Sequence, residues 1–600
     1  MSRSKQSKVS RRDFLKVVGI GAGATVLASC GPKPTPTPVA TEPPPTAVPS
    51  TAVPETTATP FVTPDANGCI IDWNPTYPEF TKYDPPLEIK IPFSASYSFN
   101  TEGETITDNP TYNLYLNRLG LKYTPALQAD GGEYYTRLQN DMAAGTLPDV
   151  FRIGANSRLP TYIDSGAVED ITDIWNATAS DLVKQKKGYP DSIIWRDVKR
   201  NGRIMGIAFM DDGMISDDTL FLRADWLEMV GMKAPTTLDE VTAVAQAFKD
   251  AGLCEFPIAC FQDFVNYHLT LDPVFGAFGV IPAAGANIGY WIKGSDGKLR
   301  YGSHEPALKD ALTLLKSWYD KELINPDFAS MDEGTMGDAL MAGQAGILWS
   351  YWQSGQAYVI DLLAMDPTIK VACIKNVVGP TGKSGRAGTK QLGAAYLFRK
   401  GVDPKIIEAV IKQLNWNLEM HCNWNKYQQY GEIFQGAVFT RGAEWDLDAS
   451  CNMIQGATPF SEWRLGRDLA MASGSRGVRY GDWWNDTYKD VSVWAAQDPS
   501  TLNMAQKFIV NNQPIALNAE YLALLVSTLN ERIPDAFQGP VTQAMADVMT
   551  DVVDFEKAAL IEFISGTRDL AKFDDFVSEW KAQGGQTLID EVNEWAAANP

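Results

Sequence analysis

Leu87 to Phe93 alternates apolar and polar side chains, with Leu87, Ile89 and Ile91 against Glu88 and Lys90, the period of a half-buried strand. Thr111 to Leu119 reads as a helix, and Leu121 to Leu127 as a second strand. From Gly132 to Ala144 the period lengthens, with Tyr135, Leu138 and Met142 on one helical face. Pro148 to Ile153 returns to a strand pattern. This β-α-β-α-β order predicts an open, doubly wound α/β sheet. Further along, Thr237-Leu238-Asp239-Glu240 has the form of a capping box before the helical stripe Val241, Val244, Ala245 and Phe248. Leu308, Ala311, Leu312, Leu315 and Trp318 mark a second amphipathic helix, and Val541 to Ala598 is expected to be mostly helical.

The first 80 residues carry no such period. Ser10-Arg11-Arg12-Asp13-Phe14-Leu15-Lys16 is a basic stretch with a twin-arginine pattern, followed by a short apolar run from Val17 to Ala28. That run falls short of the roughly 20 residues a helix needs to span hydrocarbon, so residues 1–29 read as a signal peptide. Leu27-Ala28-Ser29-Cys30 is similar to the lipobox of bacterial lipoproteins, in which the cysteine is lipidated and becomes the first mature residue. Between Gly31 and Pro64 stand 11 Pro and 9 Thr, 20 of 34 residues. Such a segment predicts an extended spacer of at most about 100 Å, so residues 30–80 are expected to form a lipid-anchored linker.

The remainder, about 530 residues, exceeds a single core and predicts two or three domains. The formal net charge is −21, and removal of residues 1–29, with six Lys/Arg and one Asp, brings it to −26. An acidic surface repels phosphate backbones, so nucleic acid is an unsuitable partner. Cys69, Cys254, Cys260, Cys373, Cys422 and Cys451 show no CxxC spacing. Cys254 and Cys260 are close enough in sequence for a local disulfide, but buried thiols are the favoured reading for a chain folded before export from a reducing cytosol.

Catalytic patterns fail one by one. Of three histidines, His268, His304 and His421, none sits in a zinc-ligand spacing, and no GxSxG elbow occurs. Adjacent His421 and Cys422 on a helix do not face each other. Val378 to Ser384 lacks the first glycine of a P-loop, since residue 377 is Val377, and reads as a solvated hairpin. Asp446-Leu447-Asp448 lacks the rest of a calcium loop. No enzyme, cofactor or metal is expected.

Four stretches carry a resemblance. They are Met142 to Val150 (MAAGTLPDV), Leu222 to Leu227 with Pro235 to Glu240, Met341 to Ile347 (MAGQAGI), and Asp574 to Trp580 (DDFVSEW). In this order they resemble the extracellular solute-binding proteins (family 1-like) of carbohydrate ABC importers, lipoprotein branch, over residues 86–600. The resemblance implies an α/β, periplasmic-binding-protein-like fold: two α/β lobes with a hinge and an interlobe cleft, and a helical C-terminal part. Lobe one is expected at 86–212 with 386–450, and lobe two at 213–385 with 451–600. It also implies a monomer anchored to the outer face of the cell membrane through Cys30, which hands a carbohydrate ligand to ABC permease subunits. The aromatic-rich segment 420–500 departs from the family pattern.

A sugar offers C–H patches that stack on aromatic faces, and hydroxyls that each need a fixed partner. In open α/β sheets such a ligand sits beyond the carboxyl ends of strands. The candidate residues are therefore Tyr97, Phe99 and Asn100 after the first strand, Asn156 and Arg158 after the third, and Asp211 and Asp212 near the lobe crossing. Lobe two adds Asp263 and Tyr267, with Trp349, Tyr351 and Trp352 at the strand where the family often places a stacking aromatic. Trp463 is a further candidate from the aromatic-rich segment. Core packing is the competing role for every one of these rings, and a solvated loop for Asp211 and Asp212. A peptide-binding protein or a secreted glycan-active enzyme are the alternative functions.

Overall fold

The computed structural model describes residues 79–95, 103–154, 158–210, 218–265, 269–282, 290–351, 358–388, 392–422, 433–434, 439–440, 445–455, 493–494, 496–502, 504–511, 520–521 and 523–599. The signal peptide, Cys30 and the linker lie outside them. So do Cys69, Trp463 and most of the aromatic-rich segment.

Eight of the described strands build three sheets. The first pairs β1 (Leu87–Phe93) with β2 (Leu121–Gln128), and the second holds β3 (Val150–Gly154), β4 (Ile207–Met210) and β8 (Leu392–Phe398). β1 and β2 pair in parallel, with Leu87 opposite Leu121. The ladder slips by one residue between Ile91 and Pro92, where Pro92 and Pro125 both lack an amide donor. β3, β8 and β4 pair in that order, both contacts antiparallel, with Leu397 opposite Phe151 and Ala395 opposite Ala208. The expected β-α-β-α-β start is present, but β3 lies in a separate antiparallel sheet rather than beside β1 and β2 in one parallel ladder. Its central strand β8 returns from far along the chain, and local sequence periodicity carries no record of that partner. Asp149 ties the arrangement together: it accepts from the Lys90 amide at 2.9 Å and pairs with Arg399 at 2.9 Å.

The third sheet runs β6 (Ile347–Tyr351), β5 (Asp218–Arg223) and β7 (Val371–Ile374), all antiparallel contacts. Alternate side chains of β5 enter different cores. Leu220 and Leu222 pack with Ile347, Trp349 and the helix Pro306–Asp320, while Phe221 faces Tyr521 edge-to-face at 5.0 Å. Leu308, Ala311, Leu312, Leu315 and Trp318 are all buried, as their spacing predicts.

Local signals set several element ends. Gly120 closes the helix Pro110–Leu119 at φ 67°, and a Cβ there would overlap the Tyr83 carbonyl oxygen. Thr237 caps the helix Leu238–Asp250 by accepting from the Glu240 amide. The Glu240 carboxylate reaches Thr236 rather than Thr237, so the reciprocal half of the capping box lands one residue earlier than expected. Val378 to Ser384 forms a turn in which the Gly379 amide donates to Lys383 O. The C-terminal helices Gln543–Ser565, Phe573–Trp580 and Gln586–Ala598 pack on the second half, where buried Glu556 accepts from Tyr301 and Ser303.

β4 of the second sheet precedes β5 of the third, and Arg386–Ala387 precedes β8. Arg386–Ala387 also pairs in parallel with Arg532–Ile533. Buried Asp218, Asp272 and Arg386 meet at this junction, where Asp272 accepts from the Ala387 amide at 2.7 Å. Burial pushes the Asp272 carboxyl up, and Asp218 and Arg386 beside it oppose that rise. Cys254, Cys260, Cys373 and Cys422 are free thiols, so no local Cys254–Cys260 disulfide forms. Among the described residues, no helix is long and apolar enough to cross a membrane.

Candidate functional site

A cavity of about 300 Å³ opens beyond the carboxyl ends of β1 and β2. This is at the lower end of ligand pockets, which span roughly 300–1,000 Å³. β1 contributes Phe93 and then Ser94; the turn after β2 contributes Ala129, Asp130 and Gly131; and β3 contributes Val150 to Arg152. The Ala129 amide donates to Phe93 O at 3.1 Å and fixes the two strand ends side by side. Tyr134 and Tyr135, in the first turns of the helix Gly131–Ala144, form one wall and meet edge-to-face at 5.2 Å.

Polar groups are placed around these rings. The Tyr134 hydroxyl donates to Arg152 O at 2.7 Å and accepts from the Arg152 amide at 3.2 Å, which locks helix to strand. Burial pushes the Tyr134 hydroxyl well up, so it stays neutral and keeps its donor proton. Ser94 donates to Asp130 at 2.5 Å. The Arg152 guanidinium lies 5.5 Å from the Phe209 ring centre, and Arg158 lies 4.4 Å from that of Tyr135. Asp130 is the one carboxylate among the lining residues, and no histidine joins it. No group of three metal-ligating side chains occurs among the described residues. The arrangement offers flat rings, hydroxyls, a carboxylate and guanidinium forks. It can hold a polar ring.

The expected site residues divide sharply. Arg158 packs on the ring of Tyr135, a lining residue, without lining the cavity itself. Asp263 does not line it either; it pairs with Lys557 of a C-terminal helix. Trp349 is a correction: it is 1 % exposed and stacks on Trp318 at 6.3 Å, inside the second core. Mid-strand placement with an inward side chain makes it a packing residue. Tyr351 ends β6, half-buried against the other core. Tyr97, Phe99, Asn100, Asn156, Asp211, Asp212, Tyr267, Trp352 and Trp463 lie outside the described residues. Sequence reading missed Ser94, Asp130, Tyr134 and Arg152. Arg152 had a signal, since it is the outward residue of an otherwise buried strand, and Tyr134 neighbours the face already marked by Tyr135.

Residues 122–398 match the family described as bacterial extracellular solute-binding protein. A polygalacturonan/rhamnogalacturonan-binding protein, YtcQ of Bacillus subtilis (strain 168), is 24% identical over 474 residues, which is 76% of this chain and 82% of that protein. Among solved structures, the alginate-binding protein AlgQ2 aligns with a TM-score of 0.55 at 16% identity, over 86% of this chain and 99% of that one. The substrate-binding protein FusA of S. pneumoniae, in complex with kestose, aligns with a TM-score of 0.56 at 15% identity, over 85% and 99%. These likenesses show a two-lobe binding-protein fold.

Proposed function

We propose that this chain is a bacterial extracellular solute-binding protein that captures an oligosaccharide in an interlobe cleft and delivers it to an ABC permease, a reading supported by the family match over residues 122–398. The cavity at the ends of β1 and β2 carries this reading, since it puts two edge-to-face tyrosines next to hydroxyl and carboxylate partners. Its place beyond strand ends is where ligands sit in open α/β sheets. Relatives that bind polygalacturonan or fructo-oligosaccharide fit the same class.

In this reading lobe one spans 86–212 with 386–450, and lobe two 213–385 with 451–600. The lobes close on the ligand about the crossings that flank Asp218 and Arg386, and closure is favoured only by contacts made in the closed state. Lipidation of Cys30 holds the protein to the outer face of the cell membrane, and the linker raises the concentration of the head near the permease.

A thermal-shift screen of the full chain against mono- and oligosaccharides, peptides and amines tests the proposal. A ligand at 100 times its Kd adds about 2.7 kcal/mol, a readable rise in Tm. A rise with a peptide and none with any saccharide would overturn it.

A further inference from the structure

We infer that Tyr290 is the positioning residue of the hinge: it fastens the crossing segment, residues 386–388, to lobe two, so that closure turns past Gly388 and not at Arg386; this rests on the two-lobe capture reading above. The chain joins lobe one soon afterwards, because Leu392 pairs with Met210 of β4 and Ala394 with Gly154 of β3. Up to Gly388 it is gripped from the other side. Arg386–Ala387 pairs with Arg532–Ile533. The Ala387 amide donates to Asp272 at 2.7 Å, and buried Arg386 donates to Thr528 at 3.3 Å and to Glu531 at 3.4 Å. These partners all fall within 213–385 or 451–600.

Tyr290 completes the grip at its last residue. Its hydroxyl accepts from the Gly388 amide at 2.7 Å and donates to the carbonyls of Gly388, at 2.7 Å, and Ile533. One side-chain atom thus meets both the end of the segment and the strand paired with it. The Gly388 amide also donates to Ile533 O at 2.8 Å. A Cβ at residue 388 would stand 2.7 Å from that oxygen, so glycine is what lets the two backbones come this close. Burial pushes the Tyr290 hydroxyl well up, so it keeps the proton it donates. Tyr290 leads directly into the strand Trp291–Lys293, where Asp535 accepts from the Trp291 amide at 3.2 Å, so the clamp is itself anchored in lobe two. Hinges absorb rotation in a few residues, and fixing where those residues begin fixes the axis. Without the hydroxyl, Gly388 joins the turning residues, and ligand binding must order it again.

Hydrogen exchange and small-angle X-ray scattering of the full chain test the assignment. Tyr301→Phe is the matched control, since it removes another buried hydroxyl bond of lobe two, to Glu556. Tyr290→Phe is expected to speed exchange of the Gly388 amide by about fivefold or more, to leave the helix Pro306–Asp320 unchanged, and to broaden the longest interatomic distances in scattering. Tyr301→Phe is expected to change neither Gly388 nor the scattering. Unchanged exchange at Gly388, or the same changes in both variants, overturns the inference. Faster exchange across the whole of lobe two, or a lost circular dichroism spectrum, marks a general packing role and also overturns it. Calorimetry with kestose, maltotriose and trigalacturonate separates the hinge from the capture reading. Tyr290→Phe is expected to weaken binding about fivefold and Tyr301→Phe to leave it unchanged; equal affinity in the two variants overturns the positioning role. If the unaltered chain binds none of the three, saccharide capture fails, while exchange and scattering still decide the hinge.

Discussion

Two aromatic clusters, one in each half, show how the same side chains serve opposite ends. In the second half Trp349 sits in the middle of β6 and stacks on Trp318 at an interplanar angle of 14°, sealed from solvent. In the first half Tyr134 and Tyr135 stand past the strand ends, on the first turns of a helix, and line an open cavity. Stacking chemistry is common to both. What differs is the distance of the ring from the end of its strand. A side chain within a ladder flanked by packed helices points into a core, whereas one just beyond the ladder faces what the loops enclose.

Four measurements break or sharpen this contrast. Trp349→Ala has the largest expected effect, a loss of about 3–5 kcal/mol in urea unfolding, since it opens a cavity beside Trp318. A loss below about 1 kcal/mol would show that Trp349 is not a core residue.

The second concerns the junction between the halves. Burial raises the Asp272 carboxyl to about 6, from 3.8. Its neutral form is therefore favoured in the folded protein. The stability it contributes is full below the unfolded value, near 4, and is lost as pH rises through about 6. Asp272→Asn keeps the group neutral throughout. The stability of this variant relative to the parent is expected to improve by on the order of 2 kcal/mol between about pH 4 and pH 7. A difference that stays flat across that window would refute the shift.

Third, Tyr135→Ala removes half of the open wall while leaving the buried Leu138 below it untouched. A loss of saccharide affinity of roughly tenfold, with Tm nearly unchanged, is expected in parallel calorimetry and melting. If Tm falls as it does for Trp349→Ala, the contrast between the two clusters disappears. Smallest is Asp263→Asn, which breaks the partly exposed pair with Lys557. It is expected to cost less than about 1 kcal/mol and to leave ligand affinity unchanged, because Asp263 is tied to the C-terminal helix and not to the cavity.

Much of the architecture was legible before any coordinates. The alternation in Leu87–Phe93, the stripe ending in Trp318 and the cap at Thr237 each depend on neighbours a few residues away, and each element appears where its period predicts. Arg158, a charged residue just after a strand, packs on Tyr135. The surroundings of Trp349 and Asp263 were not legible, because Trp318 and Lys557, which they contact, lie 31 and 294 residues away. Arg152 and Tyr134 gave weak signals for the same reason, since they are joined across helix and strand.

The sequence by itself determined the kinds and order of the elements, the acidic charge, the leader-like start and the family resemblance, because periodicity, capping and composition are local properties. Tertiary structure alone decided that β8 would enter between β3 and β4 and that Asp218, Asp272 and Arg386 would meet. It also decided which rings would pack and which would line a cavity. Those outcomes depend on contacts between distant segments, and burial, which sets the role of an aromatic or a carboxylate, exists only once such segments have come together.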